Sequence, residues 1–244
     1  MATVANDARA RLRADRLFYS AVPMAVAAIV FAGFAPSWFL RPVLGTPTME
    51  PLTPIAVAHG IAFTSWIALT IAQPLLIASG HRSLHRTLGY AGAALAAAMV
   101  VLILLATSES MKAGTPPVFP TPTVFFSINM TGLVTFAIIV GLAIAKRRDA
   151  QAHKRLILLS LTVLMAPALA RMPALRPWMP FSAFVTPDWV ILAGCLYDFR
   201  TRGRVHRVWK IGGPLVIASQ ILMFPLGFTP VMRTLGEWVM RLPV

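Results

Sequence analysis

The sequence predicts an all-α polytopic membrane bundle of seven transmembrane helices, and three observations carry that prediction. Hydrophobic residues make up 57% of the chain against 12% charged, where an ordinary soluble domain carries about 25% charge. Mean hydropathy is +0.73. The apolar residues fall into runs of the length a helix needs to cross a hydrocarbon core, about 20 residues each. The 244 residues hold seven such runs and leave no room for a separate soluble domain. A formal net charge of +14 would suggest nucleic acid in a soluble protein. Here the bases sit in the connections, so anionic lipid is the expected partner and nucleic acid is not. The single cysteine, Cys195, lies in an apolar run and excludes an internal disulfide.

Residues 1–16 carry Arg9, Arg11, Arg13 and Arg16 and read as a short basic cytoplasmic tail. The transmembrane domain spans 17–232. Its first helix, about Leu17 to Leu40, exceeds the roughly 7–15 apolar residues of a signal-peptide core and is read as retained. A Pro-rich connection, Arg41 to Pro54, leads to the second span, Ile55 to Ser79. After GHRSLHRTLGY (80–90) the third span runs to about Ser108. Glu109 to Pro122 is too rich in proline to be helical and too polar for lipid. The fourth span is about Thr123 to Ala145, and the fifth opens with Leu156 to Ala170, contains Pro167 and ends near Arg171-Met172-Pro173. Pro173, Pro177, Pro180 and Pro187 make the next stretch irregular, so the sixth span starts at Ser182 or Asp188 and ends at Phe199. The seventh is Ile211 to Met232, followed by an amphipathic tail, 233–244.

Counting bases orients the chain. With the amino terminus inside, the inner segments hold 16 Lys and Arg and the outer segments six. An excess of bases on the cytoplasmic side places the amino terminus inside and the carboxyl terminus outside, in a bacterial inner membrane.

That topology sorts the polar residues into two layers. His81, His85, His153 and His206 gather at the inner face. His59, Asn129, Arg171 and Asp188 lie near the outer ends of spans. In the second span His59, Trp66 and Gln73 recur every seven residues, and seven steps of about 100° return to nearly one azimuth, so they form one stripe facing protein. The other tryptophans fall near span ends, as an aromatic belt would.

Two readings of each layer stand. Two imidazoles from neighbouring helices are what a bis-His haem b requires. His85 and His153 are the leading ligands for haem or another metal, with His81 and His206 as alternates and Arg86 and Arg155 placed to hold propionates. The plainer reading makes these residues snorkelling anchors that obey the charge rule. In the outer layer, Arg171 and Asp188 either neutralise each other or join His59, Trp66, Gln73 and Asn129 around a quinone headgroup or small polar molecule. Asp198, one turn before Arg202, reads as half of a local ion pair. The four lysines sit in connections or at span ends, which excludes a retinal protein. Phosphate-binding glycine loops and a nucleophile elbow are absent from the sequence.

His59, Gln73, His85-Arg86 with Leu88-Gly89, His153-Lys154-Arg155-Leu156 and Arg171 together resemble a bacterial family of multi-spanning membrane proteins of unknown function. The resemblance covers roughly Ile55 to Pro173. That family is distantly similar to the membrane b-type cytochromes, which implies haem and quinone chemistry. With only His59 in the outer layer, at most one inner haem is expected. Two function classes therefore stand: a membrane oxidoreductase with one haem or metal and a quinone pocket, or a non-enzymatic transporter, sensor or assembly partner that binds a small molecule and anionic lipid.

Overall fold

A computed structural model describes residues 2–45, 49–114, 119–179 and 181–243. Its helices are α1 (Ala2–Phe34), α2 (Arg41–Leu44), α3 (Pro54–Ala78), α4 (Arg82–Lys112), α5 (Pro122–Ala145), α6 (Ala150–Leu169), α7 (Phe181–Val185), α8 (Trp189–Arg202), α9 (Gly213–Leu226) and α10 (Pro230–Val239). No strand occurs among the described residues, so the fold is all-α. Six segments are long and apolar enough to cross a membrane: Ala10–Phe39, Pro54–Ala78, Arg82–Lys112, Pro122–Ala145, Ala150–Leu169 and Val208–Leu226. Large apolar side chains stay exposed along them, for example Val134, Ile138 and Leu142 on one face of α5. A surface of that kind suits lipid, and the protein reads as a multi-pass membrane protein.

Local chemistry sets the helix starts. Thr53, Thr121 and Thr229 each accept a backbone N–H with the side-chain oxygen, and each is followed by proline at the first helical position. The cap satisfies one orphan donor, and proline's missing N–H costs nothing there. Asp149 does the same for α6, accepting from Gln151 and Ala152. Gly80 and Gly203, at φ +87° and +67°, supply the left-handed residues that end α3 and α8.

Several expected boundaries move. Residues 2–16, expected as a tail, belong to α1, because nothing in this Ala- and Arg-rich stretch breaks a helix. The first span leaves α-helical geometry at Phe34 and closes in a π-type turn, Ala35–Phe39, that contains Pro36. α4 starts at Arg82 and takes in the whole of 82–90. It also runs on through Glu109–Lys112, expected to be loop, because the first proline comes only at Pro116 and Thr53 Oγ1 donates to Glu109 Oε2 at 2.7 Å. The centre of that expected loop, 115–118, lies outside the described residues, as do 46–48 and Pro180. α6 opens at Ala150, a turn and a half before Leu156. The sixth span is broken into α7, a 3-10 turn at Thr186–Asp188 holding Pro187, and α8. The seventh stops at Leu226, and Pro230 opens the separate α10.

α1 packs on α3, α3 on α4, α4 on α5, α5 on α6, and α6 back on α1, which closes a ring of five helices. Trp66 and Phe136 meet edge to face inside it at 5.4 Å, with Met99, Ala62, Ala96 and Val140. α1 crosses α6 closely, and a Cβ on Gly33 would fall 2.2 Å from the Ala168 carbonyl oxygen. α8 and the π-type turn Val208–Gly212 lie against α6, and α9 lies against α5.

α10 folds back on the ends of α4 and α5. Ser108 Oγ donates to Val239 O at 2.8 Å, and Gly236 and Val239 sit against Met111 and Phe126.

Candidate functional site

The ring has two polar ends. One, here the basic end, holds Asp15, Gln73, His85, Ala143, His153 and Asp198; the opposite end holds Phe34, Trp38, Thr53, His59, Glu109 and Arg171.

At the basic end the ion pairs tie three helices. Arg155 on α6 and Asp198 on α8 are both fully buried. Arg155 Nε donates to Asp198 Oδ2 at 2.8 Å and Nη2 to Oδ1, while Nη1 donates to the Gln151 carbonyl at 2.7 Å. The His206 N–H adds a further bond to Asp198 Oδ2 at 3.2 Å. Asp15 on α1 accepts from both Lys154 (2.7 Å) and Arg202 (2.7 and 2.9 Å), and Tyr197 donates to it as well. The Tyr19 ring lies 4.3 Å below Lys154 Nζ, and Phe18 stacks on Tyr197 at 4.0 Å.

Three expectations change here. Arg155 was placed to hold haem propionates, but its guanidinium is committed to Asp198 and Gln151. Asp198 pairs chiefly with Arg155; its local contact with Arg202, at 3.4 Å, is the weaker one. Trp209 is a core residue at 1% exposure rather than a belt residue, because Gly194 leaves room for its indole.

The four histidines of this end differ. His81 is exposed, and its Nδ1 shares a 2.9 Å bond with Ser79 Oγ. His206 Nδ1 accepts from Val208 N–H at 3.2 Å. Burial, with the nearby Arg155 charge, holds the His206 imidazole below its ordinary range. His85 Nδ1 lies against the side-chain amide of Gln73, and His153 Nδ1 meets the Ala143 carbonyl at 2.8 Å. His85 and His153 lie within electrostatic reach of each other. Arg86 is exposed. Asp149 is held below the usual carboxylate range by the N–H groups of Ala152 and Gln151.

Axial ligation of a haem needs a bare imidazole nitrogen facing the iron. A ring whose Nδ1 accepts a hydrogen bond keeps its proton on Nε2, and that is the state of His206. Among the described residues no group of three or more His, Cys, Asp and Glu comes together to hold a metal ion.

At the opposite end the polar groups are poorly satisfied. His59 stacks on Phe63 at 4.1 Å, and its buried Nδ1 has no protein partner. Ser37 Oγ, in the π-type turn that ends the first span, is buried and unpartnered too. Trp38 lies on Gly60, one residue from His59, and donates Nε1 to Thr64 at 3.1 Å. Arg171 is within electrostatic reach of His59; its guanidinium lies 4.4 Å over Phe34 and donates to the Pro167 carbonyl at 2.8 Å.

The structure thus brings His59 and Arg171 together, with Trp66 next on the stripe at 3% exposure and its Nε1 also unpartnered. Gln73 turns to His85 at the far end. Asp188 accepts from Gln220 on α9 at 3.0 Å and forms no ion pair with Arg171 among the described residues. Asn129 donates to the Phe125 carbonyl of its own helix at 2.8 Å. Asp15, Tyr197 and Ser37 carried no signal in the sequence reading, since each needs its partner helix to acquire meaning. No protein-family model, curated protein or solved structure matches the chain.

Proposed function

We propose that the chain is a seven-pass protein of the bacterial inner membrane that binds a small molecule with hydrogen-bonding oxygens, a quinone headgroup foremost, where α1, α3 and α6 meet at the opposite end of the ring. The observation that carries this reading is the His59 imidazole, which has a buried nitrogen without a partner in a segment apolar enough to span the membrane. An unsatisfied buried polar group costs about 1–3 kcal/mol, and at membrane depth such groups tend to mark ligand sites. Ser37 adds a second unpartnered group and Arg171 a positive field that a carbonyl oxygen or small anion would answer.

The broken rod from Phe181 to Arg202 supplies the seventh crossing. Its last turn shares the basic end with the first turn of α6, so α8 runs antiparallel to α6. An odd number of crossings puts the two termini on opposite sides. The exposed Arg82, Arg86, Arg147, Arg148, Arg204 and Arg207 favour the basic end as the cytoplasmic one, against anionic lipid.

The test is a titration of the detergent-purified chain with a short-tail ubiquinone, read by tryptophan quenching. Saturable binding that weakens about tenfold or more in His59→Phe and in Arg171→Gln is the expected result. Saturable binding that both variants retain would remove the pocket from this end.

A further inference from the structure

α10 has three faces, and the bundle uses only one of them. At about 100° per residue, Val239, Met232 and Gly236 fall together, and this face packs on Met111 of α4 and Phe126 of α5. Trp238, Val231 and Leu235 fall within roughly 60° of one another on a second face, and all three are exposed. Arg233, Thr234 and Glu237 make the third, also exposed, with Arg241 exposed just past the helix end. A surface helix in a single solvent needs two faces, one packed and one turned outward. Two outward faces of opposite character fit two different surroundings.

The contacts hold α10 across the end of the ring. Gly227, in the turn before it, lies so close to α5 that a Cβ there would fall 2.6 Å from Val124 Cα. At the far end Ser108 Oγ donates to Val239 O, and Lys112 Nζ donates to Leu242 O at 2.6 Å. The helix therefore runs from the first turn of α5 to the last turns of α4. Its apolar outward face also continues a surface suited to lipid. Ile221 and Leu222 are exposed on α9, within the apolar segment Val208–Leu226; Phe228 is exposed in the turn, and Val231 follows it.

We propose that α10 is an interfacial helix, lying in the headgroup region of the phospholipid bilayer at the end of the ring opposite the basic one. Val231, Leu235 and Trp238 face the acyl chains, and Arg233 and Arg241 meet lipid phosphates. A helix that lies on a membrane combines an apolar face with a basic polar one, and tryptophan is enriched at that depth. Trp238 borders the polar face, roughly 40° from Thr234, where its ring has acyl chains on one side and water on the other. The Thr229 cap and Pro230 start the helix afresh after the Gly227 turn, which lets the chain leave the direction of α9. Neither His59 nor Arg171 takes part, so this assignment and the pocket can fail separately.

The test attaches a spin label at Leu235→Cys or, on the polar face, at Thr234→Cys, in the full chain carrying Cys195→Ala. The protein is placed in liposomes of phosphatidylethanolamine and phosphatidylglycerol. Collisions are read with oxygen, which concentrates in the bilayer, and with a neutral nickel chelate, which stays in water. The label at 235 should collide with oxygen and be shielded from nickel, and the label at 234 should do the reverse. Equal nickel access at both positions would mean that the apolar face meets water. Shielding of 235 from both reagents would mean that protein covers it, and dipolar broadening would identify that protein as a second copy. Each of these results overturns the lipid assignment.

A second measurement needs no label. Tryptophan fluorescence is recorded in lipids brominated near the headgroup end of the acyl chain or near its tip, and the difference between the wild type and Trp238→Phe isolates the Trp238 signal. That signal should be quenched more by the shallow bromines, and the shallow preference should be lost in Trp238→Phe. A Trp238 signal untouched by either lipid, or quenched as much by the deep bromines, would overturn the interfacial placement.

Discussion

The two ends of this bundle treat buried polar groups in opposite ways. At the basic end Arg155 and Asp198, with no exposure at all, satisfy each other through two bonds and draw in Gln151 and the His206 N–H. Asp15 adds a second carboxylate bound by Lys154 and Arg202. At the opposite end His59, Ser37 and Arg171 find few protein partners, and the one acid of the α3–α4 hairpin there, Glu109, is taken by Thr53. A closed network offers nothing for a ligand to satisfy. It ties α1, α6 and α8 at one end, and any binding must look to the groups left open.

The largest break in this comparison comes from Asp198→Asn. Removing one charge of a fully buried pair strands the other, at a cost of about 3–5 kcal/mol. Thermal unfolding in detergent should therefore show a severe loss, accompanied by weakened packing of α8. Replacing both partners, Arg155→Met with Asp198→Leu, should recover most of it, because two apolar side chains of similar volume leave no orphan charge. If the single variant is as stable as the wild type, the Arg155–Asp198 network is not the lock that ties α1, α6 and α8 together.

At the opposite end the sign reverses. His59→Phe keeps an aromatic ring against Phe63 and removes the unpartnered nitrogen, so the variant should be more stable by about 1 kcal/mol in the absence of ligand. Stability gained together with loss of quinone binding is what separates a ligand site from a packing residue. A destabilised variant would mean that the His59 nitrogen has a partner in the folded protein.

The sequence shows the spans because their apolar runs are contiguous, and it shows the α3 stripe because a seven-residue spacing survives in one helix. The Thr-Pro starts of α3, α5 and α10 were equally open to reading, since cap and proline are adjacent. The lock was not. Asp15 lies in a stretch that reads as a tail, and its partners are 139 and 187 residues away. Arg155 and Asp198 are 43 residues apart, and each has a nearer residue that explains it on paper.

The finest test of the comparison uses His206, beside the lock. Its ring is held neutral by burial and by the Arg155 charge, below the value of about 6.5 that the unfolded chain would show. Above that value both states are neutral and His206 adds no pH dependence. As pH falls through about 6.5 the unfolded state takes up a proton that the folded state refuses. Stability therefore drops until the folded ring titrates in turn. The loss is small, since the ring is only half-buried, and His206→Gln should flatten that part of the curve while leaving stability at higher pH nearly unchanged. A curve that keeps its slope in His206→Gln would assign the acid sensitivity to another group. One that rises on acidification would mean His206 gains an anionic partner on folding, contrary to a basic end whose carboxylates are already taken.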